Sequence, residues 1–205
     1  MPASVFLAGP ASWNRMVLLD RLPEPVPHMQ FAQASWETVG GTSAGKALSL
    51  TALGRSVVLH AVAGDDEDGL RVRAALEEAG VVAQWTDGTT ERHLNLMTAQ
   101  GDRVSLYLST PAVTTGTDDA AHAAEMAAAD AVVLDLAAEP RRLLPLAAAS
   151  GTPLWVDVHD YDGIDAYHRP FLAAAAAVFC NADRLADPVE FLRAVVADGA
   201  EFAVC

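Results

Sequence analysis

Apolar positions along the chain fall into two kinds of segment. Short, nearly continuous apolar runs at residues 4–8, 57–59, 131–136, 154–158 and 177–180 read as strands buried on both faces, where a polar side chain has no room. Between them lie alanine-rich stretches at residues 43–53, 65–79, 117–129, 140–149 and 167–175, in which small and apolar residues recur at helical spacing. This alternation predicts an α/β layered core around a mostly parallel sheet. A further helix is expected to open at Asp187-Pro188, with Glu190 three positions past the cap, and to close at Gly199. Residues 201–205 then read as one more interior strand, which suggests a continuation beyond Cys205.

The remaining segments follow a looser rhythm. Gly9-Pro10 closes the first run into a loop carrying Ser12, Trp13 and Asn14; prolines at 23, 25 and 27 forbid a helix, and residues 29–39 alternate loosely, as edge strands do. Residues 81–85, 93–98 and 104–108 are alternating runs separated by Asp87-Gly88 and Gly101-Asp102, both natural hairpin turns. They predict a small antiparallel sheet, which together with residues 29–39 forms a lid across the main sheet. Gly54 and Gly80 stop helices, and the acids Asp65, Asp66, Glu67 and Asp68 read as helix-start chemistry, with metal binding as the alternative.

A chain of 205 residues, 52% hydrophobic and 20% charged, has enough apolar residues for one well-buried domain. Its formal charge of -14 excludes a surface built for nucleic acid or anionic membrane. Cys180 and Cys205 end apolar runs, which fits packed thiols in a reducing compartment rather than a disulfide framework. The N-terminal stretch is too short and too poor in positive charge for a signal peptide, and no apolar run approaches the ~20 residues of a membrane span, so a cytoplasmic protein is expected.

The stretch with the most chemical promise is Gly40-Gly41, which leads straight into an alanine-rich helix. Adjacent glycines permit close ligand approach, and a helix start offers free N–H groups to polar or anionic oxygen; a plain connection is the other reading. Gly40, Gly45 and Lys46 also fall on the phosphate-loop pattern, but Ala47 stands where that pattern needs a hydroxyl, and no apolar strand ending in Asp stands out as its metal partner. His28, His60, His93, His122 and His168 lack metal-ligand spacing and read as core or surface residues; His159 alone joins a candidate site. It lies in Asp157-Val158-His159-Asp160, where a strand ends as ligand-facing strands do in open α/β sheets; Asp157, Asp160 and Asp162 read equally as loop acids. Trp13 and Trp36 are candidates to flank a ligand, or to pack in the lid.

Taken in order, Gly9 with Asn14, Gly40-Gly41, and Gly64-Asp65-Asp66 with Gly69 resemble the PfkB, or ribokinase-like, family of sugar and nucleoside kinases. The resemblance covers essentially the whole chain. It implies a ribokinase-like three-layer α/β/α sandwich, Rossmann-like, as one domain over residues 1–205, with lid strands at about 11–39 and 92–110. It also implies ATP and Mg2+ as cofactors and a sugar or nucleoside as partner. Asn14 falls where the family has a substrate-binding Asp, Gly40 and Gly41 fall on its glycines, and Gly45 replaces its Asn; with Ser12 these are the implied substrate contacts. Asp157, His159, Asn181 and Asp183 fall in the nucleotide and phosphate region, with His159 replacing an Asn and Arg184 standing where the N-x-x-E motif has Glu. The family's catalytic Asp, in a G-A-G-D motif, has no match between Met1 and Cys205. The expected activity is ATP-dependent phosphorylation of a sugar or nucleoside hydroxyl, with this stretch alone lacking the base; a non-catalytic binder of the same fold is the alternative, and a phosphate-loop NTPase ranks third. Lid edges invite pairing, so a homodimer through the lid is expected.

Overall fold

The computed structural model describes residues 4–113, 116 and 118–205, so the expected helix start at Thr117 lies outside it. Seven strands form a parallel sheet in the order β11-β10-β9-β8-β1-β4-β5. They are β1 (Ser4–Ala8), β4 (Ser56–Ala63), β5 (Val82–Asp87), β8 (Ala131–Asp135), β9 (Leu154–Asp157), β10 (Ala177–Phe179) and β11 (Phe202–Val204). A second sheet, ordered β3-β2-β6-β7, contains β2 (Ser12–Leu19), β3 (Ala34–Gly40), β6 (Glu91–Thr98) and β7 (Arg103–Ser109).

The apolar runs sit in the main sheet because both of its faces are covered. In β1, Phe6 and Ala8 point into one core and Leu7 into the other; in β8, Val132 and Leu134 join the first and Val133 the second. The second core is closed by helices α1 (Thr42–Ala52), through Ala44 and Ala47, and α2 (Glu67–Glu78), through Val72 and Leu76. The first is closed by α3 (Asp119–Ala128), α4 (Ala138–Ser150), α5 (Arg169–Ala174) and α6 (Pro188–Ala197), which contribute Met126, Leu143, Phe171 and Phe191. Full burial of each large apolar side chain is worth about 1.5–3 kcal/mol, so the period-2 alternation fixes register as well as layer. Helix starts follow the expected chemistry. Asp66 accepts a hydrogen bond from the Gly69 N–H at 2.9 Å, and Asp187 accepts one from Glu190 at 2.9 Å.

Four expectations need correction. The run at 81–85 belongs to β5, which pairs parallel with β4 rather than joining the lid. Helix α2 carries the chain back between β4 and β5, so Asp87-Gly88 leads from one sheet to the other instead of making a hairpin. The lid is mixed, since β2 pairs parallel with β6 and antiparallel with β3. Ser12, Trp13 and Asn14 begin strand β2 rather than lying in a loop. Strand β11 lies beside β10 at the end of the described sheet, with Phe202 and Val204 partly exposed.

Candidate functional site

The sheet's C-terminal edge gathers charge at one point. Asp135 ends β8 with no exposed surface, accepting hydrogen bonds from the Ser43 hydroxyl at 2.6 Å and the Lys46 ammonium at 2.8 Å. Lys46 also reaches Asp157, at the tip of neighbouring β9, at 3.2 Å. Helix α1 thus brings one cation to two adjacent strand ends, offsetting a buried carboxylate that would otherwise be strongly destabilising. Beyond Asp157 the chain turns sharply: the His159 N–H donates to the Asp157 carboxylate at 3.0 Å, and His159 holds φ 50, a left-handed value rare outside glycine. The Asn181 N–H donates to the His159 carbonyl at 2.8 Å, and the Asn181 side chain accepts from the Asp183 N–H at 3.1 Å. Asp157, His159, Asn181 and Asp183 therefore form one continuous rim.

The lid supplies the opposite wall. Its register aligns Gly40 with Ser12 and Glu91, and Thr38 with Asn14 and His93. On this face β6 presents Glu91, His93 and Asn95, all buried, where an ordinary covered strand would be apolar. Ser12 donates to Asn14 Oδ1 at 2.8 Å, His93 Nε2 lies 2.9 Å from Glu91, and Tyr107 packs on the His93 ring at 4.0 Å. Burial, then Glu91, push the Tyr107 hydroxyl above its ordinary pKa. Beneath the lid, His60 at the centre of β4 is almost fully buried, its ring 4.0 Å from that of His122. Burial first, then His122, lowers the His60 pKa to about 4.

The architecture, a parallel sheet between helix layers with a four-stranded lid over its carboxyl end, is shared with solved carbohydrate kinases. A microbiome-derived acarbose kinase superposes with a TM-score of 0.82 at 29% identity, over 100% of this chain and 70% of its own. The fold is ribokinase-like. A ribokinase from Thermotoga maritima matches with a TM-score of 0.78 at 13% identity, over 98% of this chain and 71% of its own. An Arabidopsis thaliana ribokinase complexed with ribose and ATP matches at 0.69 and 18%, over 100% and 70%. No family model matches the ribokinase-like chain, and no curated protein does. The resemblance to the PfkB kinases carried by the motifs is thus also one of structure.

The structure brings Ser12, Asn14, Gly40 and Gly41 together, but uses the glycines differently from the expectation of bare main chain against a ligand. The space a Gly40 side chain would fill holds the Asn14 amide, and that of Gly41, at φ 92, holds the Pro10 carbonyl. Gly40 makes room for a side chain within the lid, and Gly41 lets the chain entering α1 approach the turn after β1. Gly45 lies on the exposed side of α1 with nothing near the position of a Cβ. Trp13 turns away from the site, donating to Glu37 at 3.3 Å beneath the Arg71 guanidinium, whereas Trp36 shares the face of Asn14 and is 46% exposed. Asp162 is a turn acid that accepts from the Ile164 and Asp165 N–H groups; Asp160 and Asp162 lie 3.8 and 3.7 Å from Arg184.

Three residues escaped sequence reasoning. A strand ending in Asp does face Lys46: it is β8, whose Asp135 passed as part of an apolar run. The contact is direct, and the strand leading to Gly40 belongs to the lid, so the phosphate-loop likeness is local to the letters. Glu91 and His93 were legible only as the alternation E-x-H-x-N on a covered face. A cavity of about 170 Å³ beside Ser4, Ser56 and Glu125 lies at the sheet's opposite end, away from the strand tips where α/β sheets hold ligands.

Proposed function

We propose that this chain is the sugar-binding part of an ATP-dependent carbohydrate kinase, folded as one ribokinase-like domain with the lid inserted, that phosphorylates a hydroxymethyl or alcohol group of a sugar or nucleoside. The observation that carries this reading is the polar, buried inner face of the lid, held over strand tips already crowded with charge. Buried polar groups are costly unless bonded, and a polyol is the ligand that bonds many of them at once. Ser12 fixes the Asn14 amide by donating to its oxygen, which leaves the amide nitrogen to donate to a substrate hydroxyl. Lys46, clamped between Asp135 and Asp157, places a fixed positive charge where the sugar meets the phosphate region.

ATP supplies the phosphoryl group, and magnesium would neutralise its charge. Asp157, one quarter exposed at its strand tip, fits a magnesium–phosphate ligand; the position of the N-x-x-E glutamate does not, because Arg184 there is cationic and lies beside Asp160 and Asp162. A deprotonating Asp of the G-A-G-D type has no match in these 205 residues, so they are expected to bind sugar and to transfer no phosphoryl group alone. Arg184 also favours the second reading, a non-catalytic sugar binder. The exposed edge strands β3 and β7 suit pairing with a second copy.

A thermal-shift panel of ribose, acarbose, nucleosides and ATP-magnesium tests this directly, since a ligand of the native state raises the midpoint. A sugar or nucleoside that raises it supports the reading; failure of every one overturns it. A reading frame encoding G-x-G-D after Cys205 separates the kinase from the binder.

A further inference from the structure

A small cavity lies where lid and sheet meet, between the ends of β1 and β4 and the start of α4. It is lined by Pro10, Ala11, His60, Glu91, Ala137 and Glu139, among others, and measures about 20 Å³. That is room for one oxygen atom and its hydrogen, not for a sugar ring or a phosphate. His60 is 1% exposed and lines this space with neither ring nitrogen hydrogen-bonded; Glu139 lies 3.8 Å from Nε2, too far for a hydrogen bond. An imidazole left without partners in a covered position loses the hydrogen bonds it would make to water, unless something enters the cavity to restore them. The α4 start, whose residues Ala137, Ala138, Glu139 and Pro140 line the same space, has no side-chain cap.

The chemistry of the lining selects the guest. Glu91 is 4% exposed and Glu139 is held by Arg142 at 2.6 Å, so two carboxylates disfavour an anion. The lowered pKa of His60 leaves it neutral near pH 7, able to accept at one nitrogen and donate from the other. A hydroxyl both donates and accepts, and fits in size, charge and polarity.

We infer that this cavity is a subsite for a single hydroxyl of a neutral polyol, with His60 and Glu91 as the residues that recognise it. The inference rests on the sugar-binding reading and deepens it: it predicts that the substrate carries one hydroxyl deeper than the group to be phosphorylated, and that analogues lacking it are rejected. A carbohydrate without a free hydroxyl at that position would be excluded by desolvation of His60 rather than by bulk.

Isothermal titration with D-ribose, D-glucose and myo-inositol identifies a binding polyol, and singly deoxygenated analogues of that polyol then locate the hydroxyl. His60→Phe keeps the ring and removes its nitrogens; it should weaken the parent polyol about tenfold to a hundredfold and leave the one analogue lacking the relevant hydroxyl unchanged. His60→Gln should restore part of the loss. If His60→Phe fails to fold, Glu91→Gln applies the same comparison. Equal affinity of wild type and variants for the parent would mean that the cavity holds water only, overturning the inference while the kinase reading stands. Absence of binding by any polyol to the wild type would remove the sugar-binding reading, and this inference with it.

Discussion

The centre of the main sheet and the inner face of the lid are both buried, yet they are built from opposite kinds of residue. Strands β1 and β8 fill their covered positions with Phe6, Leu7, Val132 and Leu134, while β6 fills its own with Glu91, His93 and Asn95. Apolar burial stabilises the first region residue by residue. In the second, Asn95 accepts from Ser105 at 2.6 Å, but His93 Nε2 has Glu91 nearby without a well-formed hydrogen bond. A covered face kept polar at a cost in stability is a face kept for something else. The sheet determines the fold, and under the proposed function the lid is the region that a bound sugar completes.

The sharpest way to break this comparison is at Asp135, a fully buried carboxylate at the sheet tips. Asp135→Ala removes the partner of Ser43 and one of the two partners of Lys46, and should destabilise the chain by about 3–5 kcal/mol in urea unfolding. Asp157→Ala, at a quarter-exposed side chain, should cost far less. Similar losses from the two would show that the tip cluster is not organised around a buried charge.

The next effect is a pH dependence. The folded-state pKa of His60 lies near 4, below its ordinary 6.5, so the unfolded chain takes up the proton first as pH falls. The His60 contribution is therefore fully present above about pH 6.5, is lost as pH falls from there to about 4, and is constant below. The loss should be on the order of 3 kcal/mol. In stability curves measured across that window, wild type should lose about 3 kcal/mol relative to His60→Gln; parallel curves would show that His60 is not buried as described.

The smallest effects compare two glycines of one segment. Gly41, at φ 92 against the Pro10 carbonyl, joins lid to core, and Gly41→Ala should destabilise by about 1–3 kcal/mol. Gly45, inside α1 with open space around it, should respond in the opposite sense: Gly45→Ala should stabilise by about 0.5–1 kcal/mol. Thermal midpoints of the two variants suffice, and equal shifts would deny Gly41 its role at the joint.

Some of the candidate site was legible in the letters. Asn14, Gly40 and Gly41 do come together, and Asp157, His159, Asn181 and Asp183 do share one rim, because each group lies at a strand end or a helix start that local pattern marks. Asp135 ends an apolar strand just as Asp157 does, but no acid-rich loop follows it to draw attention. Lys46 was visible only through a phosphate-loop likeness that its surroundings do not support. Glu91 and His93 read as an ordinary alternating strand, since alternation tells that one face is covered without telling by what.

By itself, then, the sequence determined the layered α/β core, the helix caps and the places where strands end, because hydrophobic periodicity and capping act over a few neighbouring residues. Only the tertiary structure decided that residues 82–87 join the main sheet, and that Lys46 meets an aspartate 89 positions away. The physical reason is that strand partners and ion-pair partners are chosen by the packing of whole layers, and a residue's neighbours along the chain carry no record of that choice.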